Sequence, residues 1–330
     1  GLEGSQDYDL ALRVLENIRE DQIRHIPKIL YHWRAIRGSV AFSPDEKPYA
    51  HERARVAIRE HFARIGVEAE VERSIRNLHR VRYRLPATAK VSLIVYAKDE
   101  AIGGRTAELL AAQTSYTNCE IAICTVAAAN LAESLNKAAT ASTGEIICFI
   151  RAGLEPANAD WLTELAQIAM AKNIGAVGPK VLNRQDAVVG TGLIVGTKEI
   201  VSIAHDGFHR YAGGNIGRNV LTSNFSAVSI LCLATRREIF ESVTGFDAEN
   251  FPGQFFDADL CLRLRERDLR IVLDPHSMLE TRSGEEADSP SQSTKAEAER
   301  FRRRWSTYFE GDPFYNPNFS RRDGRFRLKT

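Results

Sequence analysis

Two aspartates separated by one residue, Asp257 and Asp259, open an apolar segment and are the first candidates for chemistry in this sequence. A carboxylate in such a place can accept a proton from a hydroxyl group, and it can equally cap the amino end of a helix. Residues two apart on a helix do not face the same point. We therefore expect the two carboxylates to have different roles, and both interpretations of Asp257 remain open at this stage.

Three cations, Lys98, Arg151 and Lys180, lie in or directly after apolar runs. Guanidinium and ammonium groups bind phosphate oxygens, and arginine does so in a bidentate manner. These three residues are candidates for holding an anionic group. The alternative is that they are solvent-facing charges.

The elements that must position these side chains alternate between two kinds. Short apolar runs at residues 91–96, 119–124 and 145–150 predict buried strands. Stretches at 105–113, 131–140 and 160–171 predict helices. This alternation predicts an α/β domain with a mainly parallel sheet covered on both faces. Ligands of such sheets bind at the carboxyl ends of the strands.

Composition sets broad limits on the class of protein. The chain has 330 residues, of which 44% are hydrophobic and 26% are charged, which is typical of a globular protein of about two domains. No apolar run reaches the roughly 18 residues that span a bilayer. Five cysteines without metal-ligand spacing indicate reduced thiols in a cytoplasmic protein.

Charge is distributed unevenly along the chain. Residues 87–300 contain 20 Lys and Arg against 27 acidic residues, which argues against a nucleic-acid partner. Residues 301–330 contain 8 cations against 3 acids. This basic end is interpreted either as a solvated face or as a peripheral contact with the acidic surface of the inner membrane.

An internal repeat suggests how the chain is organised. Asp7-Tyr-Asp-Leu-Ala-Leu-Arg13 matches Asp257-Ala-Asp-Leu-Cys-Leu-Arg263, and Pro27 and Pro275 follow the two copies about twenty residues later. We interpret residues 1–40 as the closing piece of an upstream copy whose front half is absent. A helical pattern at 46–65 follows this piece, and Gly66 is placed to end the helix. One stripe of that helix is formed by Tyr49, Ala54, Ile58, Phe62 and Ile65. A linker at 86–90 precedes the rest of the chain.

Several segments resemble one family. They are Phe256-Asp-Ala-Asp-Leu-Cys-Leu-Arg263, Arg236-Arg-Glu-Ile-Phe-Glu-Ser-Val-Thr-Gly-Phe-Asp247, Gly175-Ala-Val-Gly-Pro-Lys-Val-Leu182 and Asp312-Pro-Phe-Tyr-Asn-Pro-Asn-Phe-Ser320. They are similar to bacterial family 2 glycosyltransferases with the GT-A fold, in particular the tandem-domain enzymes of cell-surface polysaccharide and O-antigen assembly. The resemblance implies the tail of an upstream glycosyltransferase domain plus a helical linker at 1–86 and a GT-A domain, with a Rossmann-like, mainly parallel sheet, at 87–330.

The resemblance also implies a reaction and its partners. The donor would be a nucleotide-diphosphate sugar, the acceptor a glycan or lipid-linked glycan, and the upstream domain a further partner, with transfer taking place in the cytoplasm. Asp257 corresponds to the general base of the family. Lys98, Asp99 and Asp259 correspond to substrate contacts.

The sequence departs from the family where a metal would be bound. Arg151 and Gly153 stand where the family has the D-x-D acids, and neither residue supplies the carboxylate oxygens that Mg²⁺ or Mn²⁺ requires. We therefore assign no metal ligand and no cofactor, and we expect Arg151 and Lys180 to take over contacts to the diphosphate. Glu155 remains an alternative metal ligand. The loop at 125–130 also lacks the acid expected to bind the nucleoside.

Two other functions remain open from the sequence. A domain without metal and nucleotide motifs could be a non-catalytic GT-A scaffold that binds glycan or supports an upstream catalytic domain. A nucleotide-binding oxidoreductase is disfavoured because no glycine-rich loop follows the first strand.

Overall fold

A computed structural model describes residues 3–32, 34–35, 48–126, 130–190, 192–281 and 295–329. The chain divides into two compact units, residues 1–84 and 85–330, and each is described by itself. The predicted start of the linker helix at residue 46, residues 33 and 36–40 of the segment interpreted as a closing piece, and the loop at 127–129 lie outside the described residues.

The described part of the first unit has two α-helices and a hairpin. Helix α1 (Gln6–Leu15) is followed by α2 (Pro48–Arg64) and by the antiparallel strands β1 (Ala69–Arg73) and β2 (His79–Tyr83). Gly66, with a φ of +68°, lies just after α2, as the sequence predicts. Inward-facing residues of α2 such as Ala54 and Ile58 are buried, whereas Tyr49 and Ile65, predicted on the same stripe, are about half exposed.

The second unit contains most of the secondary structure. Its helices are α3 (Glu100–Gln113), α4 (Leu131–Ala141), α5 (Trp161–Ala169), α6 (Arg237–Ser242), α7 (Phe256–Arg265), α8 (Lys295–Arg304) and α9 (Ser306–Glu310). Its strands are β3 (Val91–Ala97), β4 (Cys119–Thr125), β5 (Ile146–Arg151), β6 (Leu154–Pro156), β7 (Ile174–Leu182), β8 (Val188–Gly190), β9 (Gly192–Thr197), β10 (Ile200–Ile203), β11 (Ser223–Phe225), β12 (Ala227–Val228), β13 (Cys232–Arg236) and β14 (Arg270–Thr281).

The main sheet is mixed but mainly parallel. Its strand order is β11-β14-β7-β13-β5-β3-β4, with β6 and β8 paired at the side. Strands β4, β3 and β5 are mutually parallel, and β14 is parallel to β7. Strand β13 is antiparallel to both of its neighbours. The carboxyl ends of β3, β5, β7 and β14 therefore lie at the same edge of the sheet, and the predicted α/β fold class is confirmed.

Helices cover both faces of this sheet. Because successive side chains of a strand point to opposite faces, Ile94 and Leu93 of β3 belong to different faces. Ile94 shares a buried cluster with residues of α4 and α7, such as Leu135 and Leu260. Helices α3 and α5 bury apolar residues that do not belong to that cluster. Helix α3 contacts β3 and β4, and α5 contacts β7, β13 and β14. A second, three-stranded sheet of β10, β9 and β12 contacts α9.

Candidate functional site

The carboxyl ends of β3 and β5 are joined to the segment that precedes β13. Tyr96 and Arg151 are partners in the parallel β3–β5 pair. The Tyr96 hydroxyl donates a hydrogen bond to the Ile230 carbonyl at 3.0 Å. The Arg151 main-chain N–H donates to the Leu231 carbonyl at 2.9 Å. Residues 230 and 231 are thus held directly over the ends of two parallel strands.

Asp257 is attached to the same segment. Its Oδ2 accepts a hydrogen bond from the Ile230 N–H at 2.9 Å, and its Oδ1 accepts one from the Ala258 N–H at 2.8 Å. Asp257 is the second residue of α7, and Phe255, with a φ of +61°, occupies the N-cap position. The interpretation of Asp257 as the helix N-cap is therefore wrong. We call Tyr96, Arg151, Ile230 and Asp257 the strand-end cluster.

Electrostatic interactions also connect the members of the strand-end cluster. Burial raises the pKa of Tyr96 well above its usual value, the charge of Arg151 lowers it and the charge of Asp257 raises it. Burial also raises the pKa of Asp257, and the hydrogen bonds from Ile230 and Ala258 oppose that effect. A carboxylate with a raised pKa binds a proton more tightly than a free one, which suits a group that must accept a proton.

Lys98 and Asp99 follow β3 at the same edge and are both exposed. Asp99 is the N-cap of α3, and its Oδ1 accepts a hydrogen bond from the Ile102 N–H at 2.8 Å. This bond gives Asp99 a local structural role. The structure places Lys98 at the predicted strand end, directly after β3.

Lys180 lies in a different environment from the one the sequence suggests. Its side chain is 2% exposed, and its Nζ donates a hydrogen bond to the Arg210 carbonyl at 2.9 Å. The pKa of Lys180 is lowered to about 8, chiefly by burial. The charge of Arg210 acts in the same direction, and the charge of Asp274 opposes the shift. The interpretation as a solvent-facing charge is wrong for this residue, and a buried ammonium of this kind is not available to a diphosphate at the surface.

Asp259 is fully buried and connects α7 to the carboxyl-terminal helices. Its Oδ2 accepts from Arg263 Nε at 2.8 Å, and its Oδ1 accepts from Arg304 Nη1 at 2.8 Å and from Trp305 Nε1 at 3.0 Å. Both oxygens are thus occupied by donors from the protein. The sequence predicts a substrate contact for Asp259, but the structure gives it a structural role. The difference arises because Arg304 and Trp305, 45 and 46 positions away in the chain, donate hydrogen bonds to it.

The residues near Arg151 do not fit a divalent cation. Gly153, with a φ of +85°, and Glu155 border a small cavity of about 20 Å³ together with Arg105 and Thr106. Within the ranges that the structure describes, no group of three or more His, Cys, Asp or Glu side chains could hold a metal ion. Glu155 therefore belongs to no group of three such ligands in this part of the chain.

Some arginines of the basic carboxyl-terminal end form ion pairs or hydrogen bonds within the protein, and others are exposed. Arg304 pairs with Asp247 as well as Asp259, and Arg321 donates to the carbonyls of Phe309 and Glu310. Arg302 and Arg303 are exposed on α8. No helix in the described residues has the length and apolar character needed to cross a bilayer.

The chain is similar in sequence to two curated proteins and similar in fold to solved structures. No protein-family model matches the chain. The uncharacterized protein y4gI of Sinorhizobium fredii is 32% identical over 368 residues, which cover all of this chain and 40% of that protein. The O-antigen biosynthesis protein RfbC of Myxococcus xanthus is 31% identical over 358 residues, 97% of this chain and 27% of that protein. The chain thus spans less than half the length of these two relatives.

One solved structure shows the same fold. A crystal structure of GalNAc-T7 with UDP, GalNAc and Mn²⁺ superposes with a TM-score of 0.50 at 11% identity, over 70% of this chain and 50% of that one. The second unit therefore has a GT-A-like, glycosyltransferase-like fold, as the sequence motifs predict. The chain is a distant homologue of the O-antigen biosynthesis protein and of y4gI.

Proposed function

We propose that the second unit is a glycosyltransferase that moves a sugar from a nucleotide-diphosphate sugar to a hydroxyl of a glycan or lipid-linked glycan acceptor. The observation that carries the proposal is the strand-end cluster, in which Asp257 is fixed by the Ile230 N–H beside Tyr96 and Arg151. The GT-A-like fold supports the class of reaction. The name of the Myxococcus relative supports cell-surface polysaccharide assembly as its setting.

The proposed reaction is a single displacement with inversion. Asp257 accepts the proton of the acceptor hydroxyl, while the hydroxyl oxygen forms a bond to the anomeric carbon of the donor sugar. The bond between that carbon and the diphosphate oxygen breaks, and the nucleoside diphosphate leaves with the electron pair. General-base catalysis of this kind contributes roughly 10²–10⁴-fold to a rate.

Arg151 is proposed to stabilise the departing diphosphate without a metal. A guanidinium forms charge-assisted, bidentate hydrogen bonds with phosphate oxygens, and it stands where the resembled family has an acid. Lys98, exposed at the end of the neighbouring strand, supplies a second cation at the same edge. Lys180 and Asp259 are left out of the proposed substrate site because both are buried and occupied by protein groups.

Binding of the donor tests this assignment. We expect UDP- or dTDP-sugars to bind the purified chain equally well in EDTA and in Mn²⁺. Arg151→Ala should weaken that binding by about tenfold or more, because a charged hydrogen bond contributes roughly 1.5–3 kcal/mol. Arg184→Ala removes the same charge from an exposed position and serves as the matched control. Binding that requires Mn²⁺, or that survives Arg151→Ala, contradicts the role of Arg151.

A non-catalytic GT-A scaffold is the second candidate function. It is favoured by Arg151 and Gly153, which stand where acidic metal ligands would be expected. A scaffold keeps its fold but binds no nucleotide sugar under any metal condition. The same titration therefore separates the two candidates.

A further inference from the structure

The internal repeat can be compared residue by residue in three dimensions. Both copies form ten-residue helices, α1 and α7. In α7, Arg263 Nε donates to Asp259 Oδ2 at 2.8 Å, and in α1 Arg13 Nε donates to Asp9 Oδ2 at 2.9 Å. The two copies thus share their helix and their internal ion pair.

Their apolar side chains have opposite environments. Leu260 and Leu264 of α7 have no exposed surface, because α7 packs on β7, β12 and β14. Leu10 and Val14 hold the same positions in α1, and they are 63% and 47% exposed. Helix α1 has no buried residue at all. The side of the helix that is buried in the hydrophobic core in α7 is therefore exposed to solvent in α1.

The segment after each helix shows the same contrast. Residues 274–279 around Pro275 lie in β14, where Met278 and Leu279 pair with β7 in parallel. Around Pro27, Ile29 is 83% exposed and Leu30 is 70% exposed. The described part of residues 23–35 contains no strand. This segment has the apolar residues of a strand without a sheet to join.

We infer that residues 6–31 form the closing helix and strand of a second α/β domain of the same class as residues 91–281. In this arrangement α1 covers the sheet of that domain as α7 covers its own, and residues 26–31 pair with a strand as β14 pairs with β7. Burial of Leu10, Val14, Ile29 and Leu30 supplies the driving force, because the transfer of apolar side chains out of water is favourable.

A second copy of this chain does not fit the surface. In such a copy the position that α1 and residues 26–31 would take is already filled by α7 and β14. The occupant must be a sheet that lacks its own closing unit. Both curated relatives contain further chain outside the region that they share with this one, since the match covers 40% and 27% of their lengths.

The matching aspartates of the two helices differ in their hydrogen bonds. Asp9 Oδ1 is buried and has no hydrogen-bond partner among the described residues. The matching atom, Asp259 Oδ1, accepts from Arg304 and Trp305. The inference does not depend on the transferase activity proposed above.

The first experiment measures whether the surface is free. In the full chain, the double variant Leu10→Glu with Leu30→Glu should keep the melting temperature and lose binding of a hydrophobic dye. The matched variant Leu260→Glu, at a buried counterpart, should lower the melting temperature strongly. A comparable loss of stability in the double variant would show that these side chains are already buried, and it would overturn the inference.

The second experiment tests whether residues 6–31 can pack against a sheet of the proposed class. It uses the main sheet of the second unit as that sheet. Residues 256–279 are replaced by a second copy of residues 6–31, which keeps an aspartate at the position of Asp259 and a proline at the position of Pro275. We expect this graft to unfold cooperatively, at a higher temperature than the same graft carrying Leu10→Glu and Leu30→Glu. Equal melting of the two grafts, or failure of both to fold, would overturn the inference. So would self-association of the natural chain that Leu10→Glu abolishes, because it would identify a second copy as the occupant.

Discussion

Lys180 lies on β7 with its ammonium group almost completely buried. The charges of Arg210 and Asp274 act on it there. Its Nζ has one main-chain acceptor, the Arg210 carbonyl, and the nearby guanidinium of Arg210 further disfavours the charge. Because the folded protein binds this proton more weakly than the unfolded chain, the pKa of Lys180 falls from 10.5 to about 8. Lys180 should therefore make stability depend on pH in the alkaline range.

The sign of that dependence follows from proton linkage. Between pH 8 and 10.5 the unfolded chain keeps the Lys180 proton while the folded protein loses it, so the free energy of unfolding should rise with pH. The gain should be about 3 kcal/mol over the whole interval, since one pKa unit corresponds to about 1.4 kcal/mol. Urea denaturation at several pH values measures it. Lys180→Met should remove the gain, and a gain that persists in this variant would contradict the assignment.

The sequence was informative about individual residues only where a local pattern decided their environment. The position of Asp257 in the first turn of a helix, and its separation from Asp259 around that helix, were both correctly predicted. The hydrogen bond from Ile230 was not, because its donor lies 27 positions away in the chain. The burial of Asp259 depends in the same way on Trp305, whose contact no local pattern indicates.

At the scale of elements, Asp259 is the link between α7 and the carboxyl-terminal helices. Removing the Asp259 carboxylate leaves the buried Trp305 Nε1–H without its acceptor, and an unsatisfied buried donor costs about 1–3 kcal/mol. We expect Asp259→Ala to lower the free energy of unfolding by about that amount, in guanidinium denaturation. Asp247→Ala, which removes the second and more exposed partner of Arg304, should cost clearly less. Equal effects of the two variants would show that α8 is not held through Asp259.

Strands and helices with a clear period were predicted well. The runs at 91–96, 119–124 and 145–150 are confirmed as β3, β4 and β5, and the helices differ from their predicted bounds mainly at the ends. The antiparallel insertion of β13 between β5 and β7 was not predictable, because strand pairing depends on long-range contacts. The strand-end cluster depends on that insertion, since residues 230 and 231 directly precede β13.

At the scale of the whole molecule, the two units differ in how much apolar surface they bury. Helix α1 contributes no buried residue, whereas α7 and most strands of the second unit are largely buried. We expect limited trypsin digestion to cut before about residue 85 much faster than within residues 91–281. Mass spectrometry of a time course, compared with digestion of the urea-unfolded chain, measures the difference. Equal resistance of the two regions would contradict the interpretation of the front as a closing unit without its sheet.

The proposal that the second unit transfers sugars is tested most directly by release of nucleoside diphosphate from UDP- and dTDP-sugars in the presence of glycan acceptors. Asp257→Asn keeps the size of the side chain and removes the base, so the rate should fall by roughly 10²–10⁴-fold. Its amide oxygen can accept only one of the two main-chain hydrogen bonds that Asp257 accepts, so the melting temperature should also fall, and activity is measured well below it. Asp268→Asn, at an exposed position with a φ of +58° that asparagine tolerates, is the matched control and should retain full activity. Acceptor-dependent release that depends on Asp257 is the result this account predicts. A fully active Asp257→Asn variant, or no release by the natural chain with any of these donors, would contradict it.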